Sequence, residues 1–100
     1  MTQYRLTLYV AGPSARSDEA INNLRRLCET SLPGQYELQV IDVVQQPEAA
    51  EKARIFATPT LIKESPEPSC RIIGDLSDTA RVRVGLDLQD RAEGGKDSAS

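Results

Sequence analysis

One hundred residues, 39% of them hydrophobic and 27% charged, suffice for a single domain with one modest core. A net charge of −3 without a basic stripe gives a nucleic-acid backbone no electrostatic footprint and favours a protein partner. No run approaches the roughly 18 apolar residues of a membrane span, and the N-terminus lacks a charged-then-apolar leader, so a cytoplasmic protein away from membranes is expected.

Tyr4, Leu6, Leu8 and Val10 alternate with Arg5, Thr7 and Tyr9, which predicts a first strand. Gly12-Pro13-Ser14 reads as a loop, and Ser17 as the cap of a helix whose apolar stripe is Ile21, Leu24, Leu27, Cys28 and Leu32. Pro33-Gly34 ends that helix. A second strand is expected from Tyr36 to about Val44, then a short helix from Pro47 through Phe56 rich in alanine. Strand, helix, strand, helix in this order implies a right-handed crossover and a parallel pair. Ala57-Thr58-Pro59-Thr60-Leu61-Ile62 places a proline at the head of a β-branched run, where it cannot donate to a sheet ladder. After Pro66-Glu67-Pro68 a partner strand spans Cys70 to Ile73, and the whole order β-α-β-α-β-β-α is the thioredoxin plan.

The last segment carries two periods. Ala80, Val82, Val84, Leu86 and Leu88 alternate as in a strand, yet Ala80, Val84 and Leu88 also fall at helical spacing behind a Ser77 cap and Asp78 in the first turn. Such a conflict between local preferences marks a weak element or a switching one.

The chemistry of a thioredoxin is missing. With no histidine and with Cys28 and Cys70 far apart, neither a zinc spacing nor a thiol–imidazole pair exists, and both cysteines sit at apolar positions of their segments. The loop where a redox pair would stand reads Gly12-Pro13-Ser14-Ala15-Arg16-Ser17, so no thiolate forms there, and the serines suit loop bonding and capping. No catalytic residue, metal or cofactor is therefore expected, and the domain reads as one that binds proteins.

Five blocks, Leu8-Tyr9-Val10-Ala11-Gly12, Val40-Ile41-Asp42-Val43, Ala57-Thr58-Pro59-Thr60-Leu61, Ile72-Ile73-Gly74-Asp75-Leu76-Ser77 and Gly85-Leu86-Asp87-Leu88, together resemble the KaiB family of bacterial clock proteins. The resemblance runs from about Tyr4 to Leu88, which implies a KaiB/thioredoxin-like domain over 1–90 and a disordered tail over 91–100. It also implies a non-enzymatic regulator with two folds: an oligomeric ground state, ordered β-α-β-β-α-α-β as a dimer or tetramer, and a thioredoxin-like monomer that docks on the hexameric ATPase KaiC. The thioredoxin-like form is the one expected here, because its strand–helix order is clear as far as Phe56.

By the same resemblance the KaiC-docking face comprises Gly12, Glu48, Lys52, Ile55, Phe56, Thr58 and Pro59, with core packing the competing role for Ile55 and Phe56 and simple solvation that for Glu48 and Lys52. The edge of the second strand, Leu38, Gln39 and Val40, is where KaiA would add by strand pairing in organisms that have it. Fold switching falls to Pro59, Gly85 and Asp87. Glycine inside a helix costs about 1 kcal/mol relative to alanine, and an aspartate near a helix C-terminus costs ~0.3 to 1 kcal/mol, so Gly85→Ala with Asp87→Arg is expected to favour the thioredoxin-like state. If the bond before Pro59 is cis in one fold and trans in the other, the exchange is expected to be slow, since rotation about a peptide bond crosses roughly 18 to 20 kcal/mol. Two other readings compete: a thioredoxin-like adaptor that does not switch, as at the N-terminus of the SasA kinase, and a glutathione-binding module suggested by Thr58-Pro59-Thr60-Leu61 before Glu64-Ser65.

Overall fold

In the computed structural model, which describes residues 3–86, alternation of apolar and polar side chains builds four strands. They are β1 (Tyr4–Val10), β2 (Tyr36–Asp42), β3 (Thr60–Ser65) and β4 (Cys70–Ile73), with α1 (Ala15–Ser31), α2 (Pro47–Ala53) and α3 (Thr79–Gly85) between and after them. The sheet order is β2-β1-β3-β4, with β1 and β2 parallel and the other two pairings antiparallel. This is the expected thioredoxin-like plan. The positions assigned to Asp87 and Leu88 and to the tail lie outside the described residues.

One face of the sheet carries the core. Leu6, Leu8 and Val10 of β1, Leu61 of β3 and Ile72 of β4 meet Ala20, Leu24, Leu27 and Cys28 of α1, and Leu76, Val82 and Leu86 close the far side. Each such leucine, buried, contributes ~1.5 to 3 kcal/mol. Burial above all, with the Glu29 carboxylate in support, pushes the Cys28 thiol up to about 12, so it packs as a small hydrophobe. The opposite face shows Thr7, Tyr9, Glu64 and Arg71 by strand alternation.

Several boundaries differ from expectation for local reasons. Ser14, not Ser17, caps α1: its Oγ accepts the Ser17 N–H at 3.1 Å, and Ser17 lies buried one turn in. β2 stops at Asp42 because the following backbone turns onto that carboxylate, with Val44 N–H 2.9 Å from Oδ1. α2 stops at Ala53 because Arg54 adopts a left-handed conformation (φ 57°), and Arg54 and Ile55 donate to Glu51 and Ala50 in a Schellman-type closure. β3 starts only at Thr60, after the cis Thr58–Pro59 peptide. Asp78, not Ser77, caps α3, its Oδ1 accepting the Arg81 N–H at 3.2 Å, while the Ser77 N–H is held by Asp75 at 3.1 Å.

The doubly periodic segment is helical as far as it is described, and sheet side chains reach its carbonyl end. Lys63, 1% exposed in the middle of β3, sends its ammonium to the Leu86 carbonyl at 3.0 Å, and the Cys70 thiol donates to the Gly85 carbonyl at 2.6 Å. Gly85 packs so close to β4 that a Cβ there would stand 2.7 Å from Ile72 Cδ1 and 3.0 Å from Cγ1. Helix propensity argued for alanine at Gly85; the packing argues against it. Overpacking costs ~1 to 3 kcal/mol against a propensity gain of about 1 kcal/mol at most. Gly85→Ala is therefore expected to lower the urea midpoint of this fold rather than raise it. Ile72→Val, which deletes Cδ1, is expected to cost ~0.5 to 1.5 kcal/mol alone and less in the Gly85→Ala background, a coupling that equilibrium unfolding of the four proteins measures.

Candidate functional site

Gly12, Asp42, Val44 and Pro59 share one end of the sheet. β1 leads into the Gly12 turn, and the pairing of Thr60 with Tyr9 sets Pro59 beside the same strand end. Gly12 needs its positive φ of 68° to turn there, which glycine adopts without a Cβ penalty. Its N–H donates to Asp42 Oδ1 at 2.9 Å, and the same oxygen takes the Val44 N–H, so one carboxylate ties the β1–α1 and β2–α2 loops together. The Gln46 N–H closes onto the Asp42 carbonyl at 2.8 Å and delivers the chain into α2.

α2 exposes Glu48 and Lys52 one turn apart, both lining a depression of about 490 Å³ with Gln45, Gln46 and Pro47. Ile55 and Phe56 lie beyond the helix, in its connection to β3. Ile55 is half-buried; Phe56 is 91% exposed, which overturns core packing as its role. Phe56 is thus a large apolar ring left in water beside a hydrogen-bonded turn. Thr58 is half-buried and Pro59 buried, the Pro59 carbonyl accepting the Gly74 N–H at 2.9 Å, while Thr60 Oγ1 donates to Ala57 at 2.6 Å.

Two residues that the sequence did not nominate for the site lie here. Val44 is 69% exposed and would sit 4.0 Å from a Cβ at Gly12, adding apolar surface to the platform. Asp42 stood within a recognised block, and an acid at a strand end before a turn is the signal that could have flagged it.

The other nominated residues lie apart. Leu38, Gln39 and Val40 run along β2, whose outer side pairs with no described strand; Leu38 packs on the core, while Gln39 and Val40 are exposed. Gly85 is the last residue of α3, packed against Ile72 of β4. Among the described residues no three His, Cys, Asp or Glu side chains gather as metal ligands, and no helix is long and apolar enough to cross a membrane.

Residues 7–88 match the KaiB domain family model. The chain is 49% identical over 88 residues to "Circadian clock protein KaiB3" of Synechocystis, covering 88% of this chain and 86% of the relative. It is 55% identical over 85 residues to "Circadian clock oscillator protein KaiB" of Synechococcus strain RCC307, covering 85% and 77%. Among solved structures, the N-terminal domain of SasA from Synechococcus elongatus aligns with a TM-score of 0.71 and 26% identity over 90% of this chain and 89% of that one. Mitochondrial thioredoxin 3 from Saccharomyces cerevisiae shares the fold, with a TM-score of 0.68 and 19% identity over 88% and 81%.

The Asp42 bracket makes a specific expectation. Asp42→Ala leaves two backbone donors without their acceptor and is expected to cost ~1 to 3 kcal/mol, with faster hydrogen exchange at the Gly12 and Val44 amides. Asp42→Asn, which keeps the acceptor oxygen, is expected to lose less than half as much in the same measurements.

Proposed function

Because the chain belongs to the KaiB family, we propose that it is a cytoplasmic, non-catalytic regulator that docks on a KaiC-like hexameric ATPase and changes its phosphorylation and ATPase cycle. The docking surface is the platform of Gly12, Glu48, Lys52, Ile55, Phe56, Thr58 and Pro59, with Val44 added. The observation that carries this reading is Phe56, turned into solvent on the turn that follows α2. Gly12 to Ser17, the turn and first residues of α1 where a thioredoxin would carry its redox pair, offers no cysteine for redox work. A face kept without its thiols is a binding face.

Release and capture follow from a second fold of the C-terminal half, in which the protein self-associates as a dimer or tetramer. Two features support a small energy gap. Leu76 holds a φ of 66°, which costs a bulky residue ~1 to 2 kcal/mol and is offset by burying its side chain. α3 itself is only seven residues long, too short to be stable without its seat on the sheet. A ring that binds one arrangement selectively shifts the population toward it, about tenfold for each 1.4 kcal/mol of preference. The open β2 edge at Leu38, Gln39 and Val40 is the place for a strand from a KaiA-like partner where one exists.

Gel filtration of the protein with a KaiC hexamer, in ATP and in ADP, tests the docking: co-elution that depends on nucleotide is expected, and separate elution in both overturns it. Phe56→Ala is expected to weaken the complex at least tenfold, or ~1.4 kcal/mol. A non-switching adaptor, the reading favoured by likeness to the SasA domain, would show one set of amide resonances for residues 57–86 at every concentration. A switching protein shows two in slow exchange.

A further inference from the structure

β4 is four residues long and serves both faces of the sheet. Neighbouring residues on a strand point opposite ways, and here two neighbours each hold a helix end. On the core face the Cys70 thiol bonds the Gly85 carbonyl, and Ile72 lies against Gly85. On the other face Arg71 donates from Nη1 to the Arg54 carbonyl and from Nη2 to the Ala53 carbonyl, both at 2.8 Å. Those carbonyls are among the acceptors left over where α2 ends. They immediately precede Ile55 and Phe56.

We propose that Arg71 is a positioning residue for the docking platform: its guanidinium braces the Ala53–Arg54 turn that presents Phe56, and so couples the seating of β4 and α3 to competence for the partner. The proposal rests on the docking reading of that platform and adds the device that sets it. A guanidinium suits the task because its fixed fork reaches two acceptors at once, where an ammonium is a point donor. The brace is also a substitute for glycine: Arg54 stands in the left-handed conformation that glycine usually supplies at a helix end, and bonds from Arg71 hold that turn from outside. Tyr9 and Glu64 share this face. The Tyr9 hydroxyl is raised by burial first and by Glu64 next, with Arg71 opposing, which puts all three within electrostatic reach. Thr7 Oγ1 holds Glu64 at 2.9 Å.

The coupling has a direct consequence. Whenever residues 70–73 leave the edge of β3, the guanidinium leaves with them, and the Phe56 turn loses its brace. Partner competence and β4 pairing are then one event.

The experiment compares wild type, Arg71→Gln, Arg71→Lys, Phe56→Ala and the Arg71→Gln/Phe56→Ala double variant of the full chain. It reads hydrogen exchange at the Arg54 and Ile55 amides, exchange in α1, and affinity for the hexameric ring. In Arg71→Gln the two turn amides are expected to exchange at least tenfold faster while α1 is unchanged, and ring affinity is expected to fall at least tenfold. Arg71→Lys is expected to recover part of both. In the Phe56→Ala background Arg71→Gln is expected to cost less than threefold further, because it acts through that ring. Unchanged exchange at Arg54 and Ile55, or losses in affinity that multiply independently with Phe56→Ala, would overturn the proposal. If wild type has no affinity for the ring, the docking reading falls, while the exchange measurements still decide whether Arg71 braces the turn.

Discussion

Lys63 imposes the constraint on which the C-terminal half depends. A cation in the middle of a central strand, with Leu6 and Cys70 opposite it, is costly unless something negative faces it. The carbonyl end of α3 is that partner: Leu86 accepts from Nζ at 3.0 Å, and the Tyr4 ring lies 5.7 Å from the same nitrogen. The helix must end over β3 for the charge to be met. Close approach of Gly85 to Ile72 allows it to do so, and Val82 and Leu86 supply the apolar contact.

The platform proposed for docking is built on the opposite logic. There the backbone does the shaping and side chains hold it: Asp42 gathers two loops with one oxygen, and Arg71 grips the end of α2 with two nitrogens. The apolar groups of this surface, Phe56 and Val44, are left in water. The core satisfies its charge, whereas the rim leaves its hydrophobes uncovered.

Much of the fold was legible in the residues. β1 alternates cleanly, α1 repeats its leucines at helical spacing, and Thr58-Pro59 marks where a strand begins, so the order of elements followed. Phe56 was harder: only the left-handed Arg54 ends α2 early and turns the ring outward, and arginine carries no such signal. Lys63 gave no sign at all, because a lysine in Leu61-Ile62-Lys63 reads as a surface residue until the end of α3 covers the face it shares with Leu61. Gly85 illustrates a third kind of failure. Propensity speaks of one helix in isolation, whereas its cost is decided by an isoleucine on another element.

The alternation of Cys70, Arg71 and Ile72 also restricts how β4 can fail. Slipping that strand by a single position would exchange its faces, driving the guanidinium among Leu61 and Val82 and turning the isoleucine toward water. Single-residue slips are therefore closed to this strand, and its register is pinned by the side chains on its two faces as well as by the ladder.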